Sequence, residues 1–143
     1  MALKGINAYK KGSLKQDVAN ADPHKITLML MQGALDRMAY GKGCIERKDY
    51  EGKSEHLSRV SSILMNLRDT LDMSIESEVS QNLYDLYDYM IQRITDANIQ
   101  NDLNIMDEVI NLLLPIKTAW ANIPEDAKQQ AYEAQRQKRQ AAV

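Results

Sequence analysis

Proline occurs at positions 23, 115 and 124 and glycine six times in 143 residues, so long stretches of the chain carry no strong helix breaker. Between those prolines the apolar residues fall into helical stripes. Leu57, Val60, Leu64, Leu67 and Leu71 recur at spacings of 3, 4, 3 and 4, and so do Met106, Val109, Leu113, Ile116 and Trp120. Val79, Leu83, Leu86, Met90, Ile94 and Ala97 form a third stripe. This period marks helices with one buried face each. Asp22-Pro23 reads as an N-cap followed by proline at the first helical position, where the missing N–H costs nothing, and Asp102 can cap a later helix. Four helices are predicted, at about 23–46, 50–72, 77–100 and 103–121. Their short connections favour antiparallel neighbours, so the expected fold is all-α, an antiparallel up-and-down four-helix bundle over residues 22–123. Pro115 lies inside the fourth helix and is expected to kink it at the carbonyl of Asn111.

The two ends of the chain differ from this core. Residues 1–21 scatter Leu3, Ile6, Tyr9, Leu14 and Val18 among lysines and glycines without a period, which reads as a mobile arm. Residues 124–143 have good helix propensity, but Ala127, Ala131 and Ala134 are their only stripe; an additional C-terminal helix that packs loosely is expected. The arm carries four lysines against Asp17, or +3, and the tail four cations against three anions, or +1; with a net charge of −2, residues 22–123 hold −6. An acidic bundle is the reverse of a phosphate-binding surface, so no nucleic-acid partner is expected.

At 44% hydrophobic residues the chain can build one ordinary core. No apolar run approaches the roughly 20 residues of a membrane span, and Lys4 interrupts the first residues, where a secretory signal would be apolar. A cytoplasmic location without membrane insertion is the expectation. Cys44 stands alone, so neither an intramolecular disulfide nor a multi-cysteine zinc site can form, and its reading is a small buried apolar residue. The histidines, His24 and His56, lack the Glu-x-x-His pairing of di-iron bundles, since Ala21 and Lys53 stand three residues before them. The usual glycine-rich nucleotide loops are also missing. These observations point away from an enzyme, and no metal or cofactor is expected.

Apolar surface remains to be explained. On the first helix, Leu28, Met31, Leu35, Met38 and Ile45 form one stripe, while Ile26, Leu30 and Ala34 fall towards another side and Met29 and Tyr40 extend it. The third helix runs Tyr84, Tyr87, Ile91 and Ile94 beside its core stripe. Such a surplus is either spare core or a groove for a partner helix, a second copy of the chain or the chain's own arm. Seven internal methionines suit an adaptable surface and equally a gap-filled core. Asp85, Asp88 and Asp96 read as a solvated face.

The order of segments resembles the flagellar secretion chaperone family, FliS. The matching stretches are Asn7-Ala8-Tyr9, the run from Asp22-Pro23-His24-Lys25 to Gly33-Ala34-Leu35, Asp49-Tyr50-Glu51-Gly52-Lys53, and Asn82 to Met90. They continue through Ala97-Asn98, Asn101-Asp102, Asp107-Glu108-Val109 and Ala119-Trp120, so the similarity covers about residues 5–123. The chain departs from the family in having Asp22-Pro23 for a usual Ser-Pro, and Met31-Gln32 where a tyrosine and an acid are common. The resemblance implies a helical bundle that holds the C-terminal segment of flagellin, blocks its premature polymerisation and delivers it to a component of the export gate. It also implies a part for Tyr9, in an arm that fills a groove or as a direct contact. Leu28, Met31 and Leu35, with Tyr87 and Ile91, are the candidates for lining the groove. The alternative is a self-associating scaffold, in which the surplus stripes meet a second copy as a homodimer.

Overall fold

A computed structural model describes residues 22–74 and 77–141. Among the described residues there are five helices: α1, Pro23–Glu46; α2, Tyr50–Asp69; α3, Glu78–Gln100; α4, Leu103–Ala121; and α5, Glu125–Ala141. Each of the first four begins at a side-chain cap. Asp22 accepts from the Lys25 N–H at 2.8 Å, Asp49 from Gly52 at 3.0 Å, Ser77 from Val79 at 3.2 Å and Asp102 from Asn104 at 2.8 Å. These bonds satisfy N–H groups that the first turn leaves without a partner. The α3–α4 turn is tight because Asn101 takes the left-handed conformation, φ 54°, and returns its N–H to Ala97.

Helices α1 to α4 pack in sequence order, and α4 closes against α1. Three cross-links fix the antiparallel directions: Lys42 pairs with Asp107 at 2.5 Å, Lys53 reaches the Asn98 carbonyl at 2.7 Å, and Trp120 bonds the His24 carbonyl at 3.0 Å. The expected four-helix bundle is therefore the fold. Its core combines Met31, Ala34 and Met38 of α1 with Leu57, Val60, Leu64 and Leu67 of α2; α3 adds Met90, Ile94 and Ala97, and α4 adds Ile105, Met106, Val109 and Leu113. Met31, Met38, Met90 and Met106 are fully buried, so these four methionines fill the core, and among the described residues Met65 and Met73 are the exposed ones. Gly41 allows α1 and α2 to approach closely, for a Cβ there would stand 3.1 Å from Leu57 Cδ2.

Three local features depart from or refine the sequence expectation. The second helix stops at Asp69 instead of about 72. The Thr70 hydroxyl donates to the carbonyls of Asn66 and Leu67, and Asp72 accepts from the Ser74 N–H, so side chains compete with the helical ladder. Leu71 still packs against the core. Helix α4 continues through Pro115, and both Pro115 and Asn111, whose carbonyl loses its helical partner, are exposed residues. Helix α5 lies mostly exposed across one end of the bundle, where the Tyr132 hydroxyl accepts from the His24 N–H at 3.1 Å and Lys138 pairs with Asp72 at 3.1 Å. Residues 1–21, with Tyr9, lie outside the described residues.

Candidate partner-binding groove

The six candidate residues divide sharply. Met31 and Tyr87 are 1% and 3% exposed and Ile91 is 9% exposed, all three within the hydrophobic core. They do not line a surface groove in this structure. Leu28 and Leu35 are half-buried, with Leu35 packed against the core, and Tyr9 is not among the described residues. The physical reason lies in the width of the apolar arcs. Helical spacing identifies two adjacent arcs on α1 and α3, but which arc turns inward depends on the neighbouring helices. On α3 the outward apolar residues are Val79, Tyr89 and Ile99, and on α1 they are Ile26 and Tyr40.

A trough opens instead between α2 and α3. Leu57, Ser58, Ser61, Ser62 and Met65 form one wall, and Ile94, Thr95, Asn98 and Ile99 the other, around about 320 Å³. Leu57 and Ile94 belong to the core and form an apolar floor, while Met65, 41% exposed, and Ile99, 74% exposed, stand on the rims. The serines matter by their small size. They recur on one face of α2 at 58, 61 and 62, so the helix surface there is recessed and another backbone can come close. Their sequence signal, three serines beside the apolar stripe of α2, gains meaning only once α3 is known to lie next to it.

One end of the trough is built around a buried cation. Lys53 is 5% exposed, and its ammonium donates to the Asn98 carbonyl at 2.7 Å and to Asn101 Oδ1 at 2.6 Å while lying 5.3 Å from the centre of the Tyr50 ring. The Ser54 hydroxyl donates to Asn98 Oδ1 at 3.2 Å. At the other end, Arg68 donates to Asp69 and to Asp88, each at 2.9 Å, and lies over the Tyr84 ring. These bonds, that to Asp69 first, hold the Arg68 guanidinium above its ordinary pKa.

The α3–α4 face is polar and tied. Tyr89 donates to Glu108 at 2.5 Å and Arg93 bridges Glu108 and Asp96. The Tyr89 hydrogen bond, then Arg93, lowers the Glu108 carboxyl, and the same bond raises the Tyr89 phenol. Burial alone pushes the Tyr87 phenol up to about 12. Asp88 and Asp96 are thus ion-paired, more than the simple solvated face expected for them. Cys44 is buried, as its sequence reading had it. Among the described residues no three His, Cys, Asp or Glu side chains are grouped to hold a metal, and no helix is long and apolar enough to cross a membrane.

Comparison with known proteins gives the family. The family model described as flagellar protein FliS matches residues 5–127. The flagellar secretion chaperone FliS of Vibrio cholerae is 39% identical over 121 residues, 85% of this chain and 89% of the relative. Flagellar secretion chaperone FliSB of Pseudomonas aeruginosa is 38% identical over 85% of this chain and 97% of its own length. The FliS of Salmonella typhimurium is 38% identical over 86% of this chain and 92% of its own. The chain therefore belongs to the FliS family, a family of flagellar secretion chaperones and not of enzymes.

Proposed function

We propose that this protein is a cytoplasmic flagellar export chaperone that holds the C-terminal segment of flagellin, with the α2–α3 trough as a principal contact. The observation that carries the reading is the trough itself: an apolar floor of Leu57 and Ile94, recessed serines, and exposed Met65 and Ile99 at the rims. From Ser58 to Met65 it follows α2 for about 10 Å, two turns of a helix laid alongside. A client segment that folds on binding loses conformational entropy, so it needs extended apolar contact rather than one deep pocket. Leu28 and Leu35, half-buried on α1, supply further contact area, and Tyr9 acts from the arm, either filling a groove before flagellin arrives or touching it directly. Occupying this segment blocks polymerisation in the cytoplasm, no bond is hydrolysed, and release to a component of the export gate comes from competition or pulling.

The test is calorimetric titration with monomeric flagellin, intact and lacking its C-terminal segment. Saturable binding of the intact form alone, weakened about tenfold or more by Ile99→Asp with an unchanged melting temperature, is the expected result. Equal binding of both forms, or none, would sink the reading. Concentration-dependent mass without any effect of flagellin would favour the self-associating scaffold instead.

A further inference from the structure

A buried lysine that pairs with no carboxylate among the described residues needs a reason. Among the described ion pairs Lys53 has none, and its ammonium is met by neutral acceptors: the Asn98 carbonyl, the Asn101 side chain and the Tyr50 ring face. Asn98 belongs to the last turn of α3, where carbonyls lack intrahelical donors and the helix dipole leaves negative potential. Lys53 is thus a cap for α3 supplied by the first turn of α2. Its target is also part of the trough. Asn98 lines the wall, its side chain is held by Ser54, and Ile99, the most exposed large apolar residue described, follows it.

We propose that Lys53 is the positioning residue of the α2–α3 trough: by holding the last turn of α3 against the first turn of α2, it sets where Asn98 and Ile99 stand for the client. It touches no client itself. The assignment rests on the trough being the client site, so its test carries one readout that needs no client.

Full-length wild type, Lys53→Met and Val109→Ala, a core change on α4 away from the trough, are titrated with monomeric flagellin at a temperature where all three are folded. Amide hydrogen exchange is followed in the free proteins. Lys53→Met is expected to bind about tenfold more weakly than Val109→Ala and to exchange about tenfold faster at residues 98–101. Binding and exchange both within about twofold of Val109→Ala would overturn the assignment, and so would a change in either one alone. If wild type bound no flagellin, the client reading would fail, whereas the exchange data would still decide whether Lys53 holds the last turn of α3. Should Lys53→Met not fold, Ser54→Ala replaces it. About threefold weaker binding at an unchanged melting temperature supports the proposal, and wild-type affinity overturns it.

Discussion

At the end where α2 begins and α3 stops, closure is achieved by a buried ammonium placed on backbone and amide oxygens, with a tight turn on either side. At the opposite end, where α1 begins and α4 stops, closure uses aromatic stacking and a helix laid across. The His24 ring, 6% exposed, stacks on Trp120 with centroids 5.3 Å apart and planes 10° from parallel. His24 Nε2 donates to the Trp120 carbonyl at 2.5 Å, which places the proton on that nitrogen, and the indole N–H returns to the His24 carbonyl at 3.0 Å. Helix α5 then covers this end through Tyr132 and Lys138. The comparison separates two kinds of closure. Removing Lys53 leaves the half-buried Asn98 carbonyl and Asn101 side chain without their donor, whereas lifting α5 exposes groups that water can serve. The first end should therefore be rigid and costly to disturb, the second tolerant.

Five experiments sharpen or break that contrast. Lys53→Met should lower stability by about 2 kcal/mol, because the Asn98 carbonyl is left without its donor, and a urea midpoint no lower than wild type would mean that Lys53 does not make this end rigid. Next is Gly52→Ala. A Cβ at that position would lie 2.4 Å from Asp49 Oδ2 and 3.1 Å from Cys44 Sγ, so the α2 cap must move. A loss of about 1–2 kcal/mol in the same assay is expected. Tyr132→Phe removes one hydrogen bond to the His24 N–H and should cost about 0.5–1 kcal/mol. A larger loss would make α5 part of the core closure.

Lys138→Ala breaks a pair whose partners are both partly exposed, and about 0.5 kcal/mol or less is expected. The smallest effect is a titration. The Ser74 hydroxyl, then Lys138, holds the Asp72 carboxyl below its ordinary range. Its folded pKa lies under the unfolded value, so the contribution is complete above the unfolded pKa and fades as pH falls through the folded one. NMR titration of Lys138→Ala should show the Asp72 midpoint moving upward yet staying below the ordinary aspartate value, because Ser74 is the stronger cause. A full return to the ordinary value would make the α5 contact dominant.

Much of the fold is legible in the residues because helix formation is local. Asp22-Pro23 and Asp102 mark starts that the structure uses, and the 3 and 4 spacings of α2 and α4 pick out buried Leu57, Val60, Leu64 and Leu67, and buried Met106, Val109 and Leu113. The candidate site is less legible. Met31, Tyr87 and Ile91 belong to arcs as apolar as the ones outside them, and the spacing of a helix carries no information on which arc meets a neighbour. His24 and Lys53, which in the sequence stand out only as members of family-matching stretches and at positions tested for a metal motif, act through partners 96 and 45 residues away.

What this sequence determines by itself is the set of helices, their caps and turns, and the all-α class, since each depends on residues within a few positions of one another. Family membership is also readable, because it is a pattern of short words in order. Which arcs of α1 and α3 became core, where the serine-lined trough opened, and how Lys53 and His24 were satisfied were decided only when the four helices met. Those features are contacts between segments far apart in the chain, and their free energy exists only in the packed state.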